Sequence, residues 1–477
     1  MLRELQPRPP PALCSLSCAK ARAGPIADLT YLGKNRLKAD LRANQLIRLK
    51  RSACVIVALC VASAAAQAQY SVTVDPKLPL AATASLDLSA SLGKERTVFV
   101  RGVPWGLKSQ VDAPSCDARP LIRRGRSQWK VPADCSRVSW TVRFHAAEPG
   151  TVDAAEQKSL YFGRTRWWLL SEPTALLRLE GDTAPSSLSV EFAGALQWQR
   201  GATAITGGRW RVPSVNNAPG FYVFGNLQTF EHRIGGVQIL HVADDIERVQ
   251  RLDLVKSQEA AWRYLSQITP TPADTSTEDQ ALLVVWLGRR EPKQAGGAAG
   301  NRSFIANYFM QPEALPRART LLILSHEQQH ELVDMVRGDR PPLPLWAAES
   351  LAQYYALKAI ARSGLDPEAV AKVRREFVDP TRPVTAGLLD WQRRHANGNP
   401  AAYPMFYEQG ATFWALVDES LSRATAGRRT LDDLMPELIT AEFSTGGQLP
   451  ATFVGRLRSE AGESVELLLS KYVGREP

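Results

Sequence analysis

The stretch Leu324-Ser-His-Glu-Gln-Gln-His-Glu331 places two histidines, His326 and His330, four residues apart, with Glu327 directly after the first. On a helix, residues i and i+4 project from one face. Two imidazoles so placed can hold one small metal ion, and the carboxylate between them then sits beside a water on that ion. A further carboxylate, Glu349, follows His330 after eighteen residues. His326, His330 and Glu349 make three ligands and leave a fourth position open, as a catalytic rather than a closed structural zinc site requires. The chemistry this predicts is hydrolysis. Zn2+, one per chain, would activate a water, and Glu327 would take its proton as general base and pass it to the leaving amine. The oxyanion that develops needs a donor, which a tyrosine hydroxyl near the metal can supply.

These residues must be held by elements, and the pattern around them is helical. Leu321–Leu324, Leu332, Val333 and Val336 give the histidine segment an apolar face, Pro316 suits its first turn and Gly338 its C-terminal end. A second helix is expected from Pro344 to about Ser363, carrying Glu349, and a third opens at Asp366-Pro367. Further helices are expected over Phe406–Ala424, Leu431–Ile439 and Glu460–Tyr472. Upstream, Asp245–Leu265 has helical apolar spacing, Ala281–Leu287 and Ser303–Phe309 read as strands, and Gln294–Asn301 reads as a flexible Gly/Ala loop. Residues 70 to about 240 differ in character. Short alternating or β-branched runs, such as Ser71–Val74, Val138–Phe144 and Val237–Val242, recur between Pro, Gly, Asp and Ser clusters. No cluster in this part carries chemistry. The fold class predicted is α+β: a β-rich, sandwich-like domain at 69–243, then a mostly helical catalytic domain at 244–477.

The chain has 477 residues and a net charge of +10. Residues 1–68 hold 11 basic and 3 acidic residues, so the remaining 47 basic and 45 acidic residues balance to only +2. The basicity is local, and no nucleic-acid partner is expected. Within 1–68, Arg48, Lys50 and Arg51 precede the apolar run Ala53–Ala66, which ends in Ala66-Gln67-Ala68. That is the pattern of a secretory signal, with the true start of translation expected downstream of Met1. The run is short for a membrane span, so no stable span is expected after cleavage, an uncleaved N-terminal anchor being the alternative. Export to the periplasm or the medium fits the cysteines. Cys14, Cys18, Cys54 and Cys60 fall in the removed segment, and Cys116 and Cys135 remain as an expected disulfide. Closing a loop of that size stabilises by roughly 3 kcal/mol in the chain-entropy account.

The metal-site residues resemble the gluzincin metallopeptidases, the thermolysin-like group, and within it the aminopeptidase N-like and glycyl aminopeptidase-like families. Those carry His-Glu-x-x-His, eighteen residues, then Glu in a Trp-x-x-Glu-Gly-x-x-x-Tyr helix. Here the helix reads Trp346-Ala-Ala-Glu349-Ser-Leu-Ala-Gln-Tyr354-Tyr355, with Ser350 in place of Gly. Downstream, Tyr407-Glu408-Gln409-Gly410-Ala411 is similar to the segment that carries their catalytic tyrosine. The resemblance implies that Tyr407 is the oxyanion donor, with Tyr403 as the fallback. It also implies that Gly296, Gly297 and Ala298 bind substrate main chain at a sheet edge. The families' Glu that holds a free amino terminus is missing from Gly296–Ser303, so a preference for N-terminal residues does not carry over.

The function expected is zinc-dependent hydrolysis of peptide bonds outside the cytoplasm, with a peptide or protein as substrate. The alternatives are a peptidase-like protein that binds peptides without efficient turnover, or a zinc hydrolase of non-peptide or cell-envelope amides.

Overall fold

The computed structural model describes residues 69–474, apart from 90–91, 103–108, 194–203, 206–208, 235–236, 270–280, 292–294 and 339. The expected signal segment, with its four cysteines, lies outside the described residues. Among those described, no helix is long and apolar enough to cross a membrane.

The first half is built of strands whose side chains alternate inward and outward, as in Ala81–Asp87, where Ala82, Ala84 and Leu86 are buried. Gln69–Val74, Ala81–Asp87 and Arg137–Arg143 pair antiparallel at the centre of an eight-stranded sheet. Ser186–Phe192 runs parallel to the first of them. Two four-stranded sheets accompany it, one built on Trp167–Ser171 and Phe221–Gly225, the other on Arg96–Val100 and Gln128–Val131. Val72, Leu86, Val98, Trp140, Leu170, Leu188 and Phe224 form their shared core. Cys116 and Cys135 form the expected disulfide, with a Cα–Cα distance of 5.7 Å.

A five-stranded sheet follows, in the order Thr229–Ile234, Val237–Ala243, Ala281–Arg289, Ser303–Phe309, Gly297–Ala299. Its central strand Ala281–Arg289 is parallel to both neighbours and apolar on both faces. That follows from its place: Val284 and Trp286 pack toward the helices, while Leu283, Val285 and Leu287 pack on Trp167, Phe221 and Val223 of the preceding sheets. The sheet therefore takes strands from both sides of residue 243. The Gly/Ala segment, a loop by its composition and a sheet edge by the family resemblance, is the edge strand, pairing antiparallel with Ser303–Phe309. Glycine has low strand propensity, and tertiary pairing overrides it here.

The helices differ from the sequence pattern mainly at their breaks. The helix expected over 245–265 is two, Ile246–Arg251 and Leu254–Ile268, divided at Asp253, whose φ of 52° interrupts the ladder. The last expected helix divides at Gly462, φ 65°, between Ala451–Ala461 and Glu463–Leu468, which continues as the π-helical turn Leu469–Val473. Leu388–Ala396 is an additional helix. At the centre lie the histidine helix Ala314–Arg337, the Glu349 helix Leu345–Ile360 and the tyrosine helix Tyr403–Ala424. Fourteen residues of Leu345–Ile360 are buried, because helices pack on it from several sides. It approaches the tyrosine helix so closely that a Cβ on Gly410 would lie 2.3 Å from the Cβ of Ser350. Ser350 fits there because Gly410 opposite leaves room. Its hydroxyl accepts from the Trp414 indole at 2.8 Å.

A buried histidine in the five-stranded sheet gives a prediction for stability. Trp286 donates its indole N–H to His241 Nδ1 at 3.0 Å, and His241 Nε2 lies 3.0 Å from His232 Nδ1. Indole only donates, so Nδ1 must be the bare nitrogen and His241 is neutral. Burial, reinforced by His232, holds its pKa well below the usual histidine value. The unfolded chain gains a proton at this site below about pH 6.5, and the folded chain does not. Its effect is therefore absent above that pH and destabilising below it, by up to about 1.4 kcal/mol per pH unit. Urea midpoints measured from pH 8 to 5 should fall less steeply for His241→Gln than for the natural protein. Equal slopes would contradict the assignment.

Candidate metal centre

The 24-residue helix Ala314–Arg337 carries His326 and His330 on one face, as their spacing requires. Glu349 approaches from the neighbouring helix. His326 Nε2 lies 3.0 Å from His330 Nε2 and 3.1 Å from Glu349 Oε2, and His330 Nε2 lies 3.5 Å from the same oxygen. Ligands about 2.1 Å from a tetrahedral centre are ~3.4 Å apart, so three such atoms suit a single zinc ion. The three side chains form a group that could hold a metal ion. Their neighbours set the protonation this needs. His326 Nδ1 is 3.0 Å from Gln353 Oε1, which can only accept, so Nδ1 carries the proton and the Nε2 lone pair faces the cluster.

The electrostatics agree. Burial works against a charge on Glu349, but the two histidines beside its carboxylate hold it well below the usual range. Burial likewise opposes a charged His330, yet Glu349, Glu327 and Asp334 outweigh it and raise its pKa to about 9. The group thus favours positive charge at its centre, and the residues present fit a divalent cation.

Glu327, 7% exposed, lies between the histidine helix and the edge strand. The Ala299 backbone N–H donates to its carboxylate, and burial raises its pKa against the pull of both histidines. Gly297 is the residue this contact demands. A Cβ there would fall 2.5 Å from both Cγ and Oε1 of Glu327. Gly297→Ala should therefore displace the Glu327 carboxylate or the strand, with a loss of stability or of the site's geometry on the order of 1–3 kcal/mol. A crystal structure of the variant with both Glu327 and the edge strand unmoved would contradict this.

The tyrosines stand on the third helix, one turn apart. Tyr403 donates to Glu349 Oε1 at 2.8 Å, and Tyr407 donates to the Tyr403 oxygen at 3.1 Å. The Tyr407 ring stacks on His326 with centroids 5.2 Å apart. Burial, with Glu349 nearby, raises both phenols well above the ordinary value, so both remain donors.

A cleft of about 420 Å³ joins these groups. Gly297 and Ala298 line it together with His326, Glu327, His330, Glu349, Tyr403 and Tyr407. Gly296 does not: it packs against Ala155 and hydrogen-bonds Asn307, anchoring the start of the strand. Several lining or supporting residues had no motif to mark them. Gln353 could have been found, four residues after Glu349 on the same helix face. Gln157 and Ala218 reach the cleft from the β-rich half.

Comparison with known proteins agrees with this architecture. The chain is similar to the solved structure of an aminopeptidase N family protein from Idiomarina loihiensis, at 15% identity and a TM-score of 0.61, covering 86% of this chain and 76% of the other. An M1 zinc metallopeptidase from Deinococcus radiodurans aligns at 15% identity over 86% of this chain and 94% of its own, at a TM-score of 0.44. At such identity the first match establishes a common fold, and the second score is too low to add to it. No protein-family model matches the chain, and no curated protein matches it.

Proposed function

We propose that the protein is a zinc-dependent peptidase of the gluzincin type, with one Zn2+ held by His326, His330 and Glu349. The observation that carries this reading is the convergence of two Nε2 atoms and one Oε2 atom within 3.0–3.5 Å, with the Glu327 carboxylate beside them. Bound there, zinc supplies Lewis acidity toward a carbonyl oxygen and lowers the pKa of a water. The rest is work for side chains. Glu327 takes a proton from the attacking water and returns it to the nitrogen that leaves. The Tyr407 hydroxyl donates to the developing oxyanion, because its hydrogen bond to Tyr403 can be exchanged, whereas the Tyr403 proton is committed to Glu349. The edge strand Gly297–Ala299 offers main-chain groups beside the cleft for an extended substrate. The disulfide supports a working place outside the cytoplasm.

The test is cleavage of a mixed peptide library by the purified protein, followed by mass spectrometry. Turnover should appear, cease on chelation and return with zinc, and N-blocked peptides should be cut as well as free ones. A strict need for a free amino terminus would contradict the inference from the missing Glu. No cleavage by zinc-loaded protein would contradict the peptidase reading.

A further inference from the structure

Beside the metal cleft lies a second, polar chamber of about 240 Å³, which shares Ala218, Asp334 and Pro342 with it. Three arginines line it, Arg101, Arg337 and Arg340, against one acidic residue, Asp334. Arg101 pairs with Glu172, but Glu172 also pairs with the buried Arg178, so one negative charge is set against two positive ones. Arg337 is 4% exposed and donates to the carbonyl oxygens of Pro341, Ile439 and Ala441, with no ion pair among the described residues. Arg340 is exposed, and the one hydrogen bond of its side chain among the described residues goes to the Val336 carbonyl. Asp334 lies beside Arg337, so three arginine charges face one carboxylate. Positive charge is left over, part of it on the buried Arg337 and the part-buried Arg101, and a bound anion would offset it.

The chamber wall is also fixed in advance. Its loop of residues 213–220 is held by Arg178 to the Pro213 carbonyl at 2.6 Å and by Arg101 to the Val215 carbonyl at 3.1 Å. Arg101 further holds the Asn217 carbonyl, and Glu172 accepts the Gly220 N–H at 2.6 Å. The Asn301 N–H is tied to Pro219 at 2.7 Å. An electropositive chamber with a hydrogen-bonded wall, lying against the metal cleft, is suited to one part of a substrate: an oxygen anion.

We infer that this chamber receives a carboxylate of the peptide substrate close to the cleaved bond, as an acidic side chain or as the C-terminal carboxylate. The inference rests on the peptidase reading and adds its specificity. Arg340 is the residue to change, because it is exposed and anchors nothing else. Two matched substrate pairs separate the sources: amidated peptides with Glu or Gln near the cleaved bond, and a neutral short peptide with a free or an amidated C-terminus. In one pair the acid should be favoured in kcat/KM by on the order of tenfold, mainly through KM. That ratio should collapse toward one in Arg340→Ala and be largely restored in Arg340→Lys. An advantage in the first pair assigns the side chain, and one in the second assigns the C-terminus. Equilibrium binding of the same four peptides to zinc-loaded Glu327→Gln protein makes the test independent of turnover. Equal affinity for acid and neutral partners there overturns the chamber. Failure of every peptide to be cleaved by the natural protein, with the binding preference intact, would overturn only the peptidase reading.

Discussion

Glu327→Gln is expected to lower kcat on peptide substrates by on the order of 10²–10⁴-fold while leaving one zinc per chain. The amide keeps the size of the side chain, so the close approach of Gly297 is preserved. It also keeps an oxygen for the Ala299 N–H. What it loses is the ability to take a proton from water. Glu327 is not among the atoms that converge on the metal position, so metal content should not follow activity. Kinetics and elemental analysis on the same preparation check both halves. Loss of zinc together with activity would make Glu327 a ligand, and retained activity would place the base elsewhere.

Glu349→Ala should act in the opposite order, on the metal first. Its Oε2 faces both histidines and its Oε1 holds Tyr403, so one substitution removes a ligand and frees the tyrosine next to it. Changes to outer-shell partners alone cost roughly 10–100-fold in metal affinity, and loss of a ligand should cost more than about 100-fold. Activity should then be undetectable at ordinary zinc concentrations. Because Glu349 is buried within a well-packed helix, circular dichroism and a melting curve must accompany the measurement. A folded Glu349→Ala protein with full zinc affinity would remove Glu349 from the ligand set.

Much of the site could be read in the sequence because its information is local. His326, Glu327 and His330 lie on one helix, and helical geometry alone puts them together. Glu349 needed only the further step that a neighbouring helix returns across the first. Tyr407 needed the family resemblance, since nothing in its own sequence separates it from a packing aromatic. What could not be read was set by tertiary pairing. Composition alone made the Gly/Ala segment a loop, and only the family resemblance pointed to the edge strand it forms against Ser303–Phe309. Gly297 is dictated by Glu327, thirty positions away, at a contact no local pattern encodes. Gln157, Ala218 and the arginines of the second chamber come from segments that share no motif with the histidine helix. Helix breaks at Asp253 and Gly462 depend on a single positive φ each, which apolar periodicity passes over. The β-rich half was legible as strands by alternation, but the order of those strands in three sheets was not.

The central claim is that His326, His330 and Glu349 hold a zinc ion that Glu327 and Tyr407 put to use. Metal analysis of the purified natural protein by inductively coupled plasma mass spectrometry tests this most directly. The account predicts one zinc per chain, retained in Glu327→Gln and lost in Glu349→Ala. A folded natural protein that stays free of metal when offered zinc would contradict it.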